Sequence, residues 1–388
     1  MSIQWVNDDF GANVHRSGWK QVAKHLKIAL SSMTFTEDFI LDLYIDATFS
    51  WRESLFESQG IIPYKKDWIG FIHHTVTGCN NSKELFQNHN FITSLEHCKC
   101  IIVLSENLRK DLLTLCPRKV PIYVLTHPTE TPDLKFTMGK FVSNTEKRLL
   151  HVGNWMRDIS HFQWIPCNTF YTKTVLTSIR NDYIYLKGYP FLELLEYLPD
   201  TEYDEILSEN MVCIFLKDAS AINTILECVV RDCPIIVNSL PAVREVLGDD
   251  YPLYVSTSSE VESKATNLSL VSKAYTHIKR MNKTRFTFEY FIDRFKEKLK
   301  DHFYYEERHC VICLESLTSH EAGTRILNCN HEFGKSCIED WLRRGERICP
   351  ICRNRELPQP VRRNGEVYSP PPQGVWNTYY GHGYYNIR

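Results

Sequence analysis

Residues 310–352 carry six cysteines and two histidines, and the cysteines and His331 stand in a spacing that leaves the segment few ways to fold: Cys310-x-x-Cys313, Cys329-x-His331, Cys337 and Cys349-x-x-Cys352. A Cys-x-x-Cys turn aims two thiolates at one tetrahedral ion, and zinc in a closed structural site takes four sulfur or nitrogen ligands. A module of about 50 residues buries too little apolar surface to stand on its own core, so metal has to supply the difference. Structural zinc contributes an apparent ~10–16 kcal/mol, enough to decide whether such a module folds. The other eight of the 14 cysteines (Cys79, Cys98, Cys100, Cys116, Cys167, Cys213, Cys228, Cys233) are scattered. Several sit in apolar runs such as CKCIIVLS and NMVCIFL, where a thiol in a reducing compartment acts as a small buried hydrophobe.

The chain of 388 residues has room for two or three domains. A formal net charge of -2 argues against broad electrostatic binding to nucleic acid or anionic membrane. No apolar run reaches the ~18 residues a membrane span needs, and MSIQWVNDDFG lacks the basic and apolar regions of a signal peptide. The expectation is a soluble protein of the cytoplasm, a reducing compartment.

Before the cysteine-rich window, short apolar runs alternate with helical segments. IIVLS (101–105) precedes ENLRKDLLTL, PIYVLTHP (121–128) ends at Pro128, and LLHVGN (149–154) follows. MVCIFLK (211–217) and CPIIVNS (233–239) flank NTILECVVR. This alternation predicts parallel sheets with crossover helices. Two sheets are expected, with a boundary in KFVSNTEKR. FEYFIDRFKEKLKDHFYYEE (288–307) has helical periodicity and reads as a long closing helix. After the window, SPPPQGVWNTYYGHGYYNIR has no packing periodicity and reads as disordered.

Residues 310–353 resemble a RING finger. In that family two zincs sit in a cross-brace, the first and third ligand pairs sharing one ion, the second and fourth the other. The resemblance implies a complete site of Cys329, His331, Cys349 and Cys352. It implies a second site of Cys310, Cys313 and Cys337 that lacks one ligand, because Gly334 stands where the family places it. Three accounts of the gap are open: a surrogate from His309, His320 or Asp340, a water, or an empty site held by packing. RING fingers recruit a ubiquitin-conjugating enzyme and its ubiquitin through residues that correspond to Ile312, Trp341 and Pro350. Arg353 takes the place of the arginine that contacts both. Catalysis of this kind works by orienting a charged thioester, without a covalent intermediate.

Residues 207–255 resemble the donor-binding half of GT-B glycosyltransferases. Glu227 in ILECVV fits the helix glutamate that contacts the donor, and PAVREVLG fits the segment after the next strand. CKCIIVLSENLRKDLL (98–113) resembles the last strand and helix of the acceptor half, and HVGNW (151–155) the first strand of the donor half. Ala219, beside Asp218, stands where many retaining members carry a second glutamate. GNWMRDISH offers only Arg157 for the donor pyrophosphate, with Lys217 as a substitute. DDFGANVHRSGW (8–19) is where a glycine turn could approach phosphate, and IHHT (72–75) puts a histidine at a strand end.

The expected architecture is therefore α/β: two Rossmann-like, GT-B-like lobes (1–145 and 146–300, the second with the closing helix), a zinc-bound RING domain (305–356) and a disordered tail (357–388). The expected function is a RING-type ubiquitin ligase whose GT-B-like region selects an unknown protein target. The alternatives are a nucleotide-sugar-dependent glycosyltransferase with an accessory RING, and a non-catalytic zinc-dependent interaction protein.

Overall fold

The computed structural model describes residues 2–9, 16–77, 82–166, 170–176, 191–195, 198–345 and 347–355. The proline- and tyrosine-rich tail, Cys79, Cys167 and residues 10–15 of the glycine-containing N-terminal stretch lie outside them. The chain divides into two compact units, Met1–Glu306 and Glu307–Arg388.

The first unit holds two parallel sheets. Five strands, β1 (Ile3–Val6), β2 (Phe39–Asp42), β3 (Trp68–Ile72), β4 (Cys98–Val103) and β5 (Ile122–Val124), lie side by side in chain order. Both faces are covered, so successive residues alternate between two cores. Phe39, Leu41, Phe71 and Ile102 face one; Ile40, Trp68, Ile72 and Ile101 face the other. The helix α1 (Trp19–Ser31) adds Val22 and Leu26 to the first of these cores. The helix α2 (Glu106–Leu115) adds Leu108 and Leu112 to the second, and Ser105 caps it by accepting from the Leu108 N–H.

The second sheet is built from β6 (Arg148–Val152), β7 (Thr172–Leu176), β8 (Leu192–Leu195), β9 (Met211–Ile214), β10 (Ile235–Asn238) and β11 (Tyr254–Val255). Their spatial order is β11-β10-β9-β6-β7-β8. The chain starts at the middle, fills one side, then returns to fill the other. The switch between β6 and β9 opens a crevice at their carboxyl ends, where open α/β sheets bind ligands. The helices α3 (Asp200–Glu209), α4 (Asn223–Val230), α5 (Pro241–Leu247) and α6 (Leu268–Arg280) contribute to the core of this sheet.

The closing helix α7 (Phe288–Lys300) is shorter than the periodicity suggests. After it the chain folds back, with the Phe303 N–H donating to the Leu299 carbonyl. Phe303 then stacks on Phe39 at 4.2 Å, so it is buried by a turn and not by further helix, while the next residue, Tyr304, is exposed. Phe291, Phe295 and Leu299 pack on the first sheet's core with Val22 and Phe71.

In the second unit an antiparallel hairpin, β12 (Thr324–Ile326) and β13 (Glu332–Gly334), pairs Arg325 with Phe333 and runs into α8 (Lys335–Arg343). Its core is small: Leu317, Leu327, Phe333 and Ile338 around the sulfurs of Cys310 and Cys349.

Candidate metal centre and interlobe cleft

The hairpin, the two Cys-x-x-Cys turns and the start of α8 bring eight side chains into two groups of four. Cys310, Cys313, His320 and Cys337 form one, and Cys329, His331, Cys349 and Cys352 the other. Within each group the donor atoms all lie within 4.8 Å of one another. Zinc–sulfur and zinc–nitrogen bonds of ~2.3 and ~2.0 Å in a tetrahedron put donors about 3.5–3.8 Å apart. Here Cys313 Sγ and His320 Nε2 are 3.4 Å apart, Cys329 Sγ and His331 Nδ1 3.3 Å, and Cys349 Sγ and His331 Nδ1 3.6 Å. Both donor sets fit a zinc ion.

At the gap left by Gly334, the first group matches one of the three accounts the sequence leaves open: of the surrogates, His320 lies among the three cysteines. Of the other surrogates, Asp340 pairs with Arg344 at 2.6 Å and with Arg343 at 3.5 Å. His309 lies on an isolated antiparallel bridge to Ser316. Burial raises the Cys310 thiol, but amide hydrogen bonds from Cys313, Gly334 and Ile312 outweigh it and the net shift is downward. Cys337 is pushed up to about 11 by burial and by the neighbouring sulfurs of Cys313 and Cys310. A cation removes that conflict, since metal binding requires thiolates.

At the crevice of the second sheet, Gly153 follows β6 with φ +76. Arg157 folds back beneath it, donating to the Thr224 hydroxyl at 2.9 Å and to the Trp155 carbonyl at 2.6 Å. Burial holds its guanidinium down at about 10, against the opposing pull of Glu227. Lys217 is exposed, and its N–H donates to the Met156 carbonyl. Glu227, on α4, is buried. Its Oε1 accepts from the Ser17 hydroxyl at 2.7 Å and its Oε2 from the Tyr203 hydroxyl at 2.8 Å. Asp218 accepts from Thr75. Arg16 forms a bidentate pair with Asp204, which also takes Arg231. Glu245 accepts the N–H groups of Glu106 and Asn107 at the start of α2. The two lobes are thus laced together by their own side chains. One cavity between them, lined by Leu104, His127, Ile222 and Glu245 among others, holds about 120 Å³. Sites for drug-sized ligands hold roughly 300 Å³ or more.

Residues 308–353 match the family model described as Ring finger domain. This segment is a RING finger. It is 43% identical over 60 residues to the RING-H2 finger protein ATL18 of Arabidopsis thaliana, covering 15% of this chain and 41% of that one. It is 33% identical over 69 residues to the E3 ubiquitin-protein ligase Godzilla of Drosophila melanogaster, covering 18% and 13%. The chain therefore spans less than half the length of these curated relatives. The first unit has a GT-B fold. The crystal structure of Anabaena Alr3699/HepE in complex with UDP and glucose superposes with a TM-score of 0.54 at 9% identity, over 77% of this chain and 99% of that one.

Within the RING, Ile312 and Trp341 lie half-buried against the small core. Trp341 Nε1 donates to the Ile348 carbonyl at 3.0 Å, which ties α8 to the turn carrying Pro350. Val311, Leu314 and Ile351, in the two Cys-x-x-Cys turns, are exposed apolar residues. Arg353 is exposed at φ +58, with its N–H on the Cys349 carbonyl at 2.9 Å.

Ser17, Tyr203, Asp204 and Arg231 do not figure in the sequence reading. Their roles depend on contacts between distant segments, such as the 210 positions separating Ser17 from Glu227, and no local motif announces them. Among the described residues no helix is long and apolar enough to cross a membrane.

Proposed function

We propose that this chain is a RING-type ubiquitin ligase that recruits a charged ubiquitin-conjugating enzyme, while its GT-B-like region selects the protein target. The observation that carries the reading is the pairing of two four-donor groups with an apolar face at the two Cys-x-x-Cys turns. In this reading Cys310, Cys313, His320 and Cys337 hold one zinc, and Cys329, His331, Cys349 and Cys352 the other. The ions fix the two turns, so Ile312, Trp341 and Pro350 present a preformed docking face to the conjugating enzyme. Arg353, next to the last ligand, reaches the enzyme and its ubiquitin. The contribution to rate is orientation of the thioester for attack. The thiols must stay reduced to bind metal, in keeping with the cytoplasm.

The test is discharge of ubiquitin from a panel of loaded conjugating enzymes by the full chain. Discharge abolished by Arg353→Ala supports the ligase; no discharge from any enzyme by zinc-loaded protein overturns it.

A glycosyltransferase reading rests on the crevice at the β6–β9 switch, with Arg157, Lys217 and Glu227 around it. The hydroxyls of Ser17 and Tyr203 already occupy both oxygens of Glu227. That favours a binding scaffold over a transferase. Assay of sugar transfer or hydrolysis from UDP-sugars separates the two: turnover that Glu227→Ala removes would support the transferase.

A further inference from the structure

Gly334 stands at the RING family's ligand position, yet nothing in its backbone calls for glycine. Its φ of -55° and ψ of 129° are open to any residue. What excludes a side chain is the imidazole of His320. A Cβ built on Gly334 would lie 2.3 Å from His320 Cε1, 2.4 Å from Nδ1 and 2.5 Å from Nε2. Carbon cannot approach that closely, so one space serves either a side chain at 334 or the ring of residue 320.

The loop that delivers His320 is anchored by the protein. Leu317 is buried in the RING core. The Ser319 N–H donates to the Ser316 carbonyl at 3.0 Å, and the Gly323 N–H to the His320 carbonyl at 2.8 Å. The Lys335 N–H donates to the Gly323 carbonyl at 2.9 Å. The loop is therefore pinned on both sides of the histidine and to the start of α8.

We infer that the first zinc site of this RING is built with a transposed ligand: His320 coordinates in place of a side chain at 334, and Gly334 is retained to leave room for its ring. The inference rests on the RING reading and concerns which residue binds, so it stands or falls separately from ligase activity. His320 and Gly334 form a coupled pair. A side chain at 334 drives the imidazole off the metal, and removal of the imidazole leaves three sulfurs and an open coordination position.

The experiment uses the full chain loaded with zinc, and separately with cobalt, whose visible absorption reports the number of sulfur ligands. Native mass spectrometry and chelator competition measure metal content. His320→Ala is expected to lose one of the two zinc equivalents under chelator, and Gly334→Ala to weaken the same site at least tenfold. His320→Cys keeps the module loaded and folded, and its cobalt spectrum moves from two mixed sulfur–nitrogen sites to one all-sulfur site and one mixed site, the latter still held by His331. An unchanged cobalt spectrum in His320→Cys would overturn the proposal even if the alanine variant fails to fold. Full zinc retention by His320→Ala, or unaltered affinity in Gly334→Ala, would do the same.

Discussion

The hydroxyl of Ser17 donates to the buried carboxylate of Glu227 at 2.7 Å and also lies 2.6 Å from the hydroxyl of Thr129. Position 227 resembles a sugar-contacting glutamate, but here the chain itself meets the carboxylate. Removing one partner of a buried charged hydrogen bond costs about 1–3 kcal/mol. Ser17→Ala is expected to lower the stability of the first unit by that amount in urea denaturation. Unchanged stability, with altered UDP-sugar binding, would instead show that Glu227 serves a ligand.

Ile312→Ala tests the docking face. A central apolar contact in an interface is worth about 2 kcal/mol, or roughly thirtyfold in affinity. The substitution should weaken binding to a conjugating enzyme by that factor and leave zinc content intact. Trp341→Ala should cost stability as well, because its indole N–H holds the Ile348 carbonyl. Comparing melting temperature with affinity for the two variants separates docking from packing.

Metal removal should unfold one unit and spare the other. The RING core consists of a few apolar side chains around sulfur, whereas the first unit has three extensive cores of its own. Chelation followed by limited proteolysis should digest residues beyond about 307 and leave the first unit resistant. Equal digestion of both would contradict this.

Acid should weaken the first unit. Burial lowers His73 and His151 to about 3 from an ordinary 6.5. Between those values the unfolded chain binds the protons that the folded one refuses, so stability rises with pH from about 3 to 6.5. Asp46 opposes this. Burial raises it to about 7 from 3.8, so the folded state holds its proton longer and stability falls as pH rises through that window. Burial raises Asp42 as well, but it also lowers His25, His74 and His302, so the histidines outnumber the carboxyls and acidification leaves a net loss. Denaturation curves at several pH values should show it, and His151→Leu should flatten the slope.

Much of the scaffold could be read from local pattern. ENLRKDLLTL coincides with α2, and the apolar runs at 101, 149, 211 and 233 each overlap a strand. Seven metal donors follow from spacing because a Cys-x-x-Cys turn is a local geometry. The eighth does not. His320 sits in a loop between the first and second ligand pairs, where spacing places His309, His320 and Asp340 on an equal footing. Only the fold of Leu317–Gly323 onto the hairpin separates them. The lacing of the lobes is further from local pattern still. A serine at 17 and a glutamate at 227 carry no mark of one another until two sheets have formed and met.

The two donor groups interleave along the chain, the first drawing on residues 310–320 and 337, the second on 329–331 and 349–352. During synthesis neither tetrahedron can close early. Cys337 must leave the ribosome before the first is complete, and Cys352 before the second. Through that interval the growing chain carries several unligated thiols that any oxidant could reach, and capture of the ions ends the exposure.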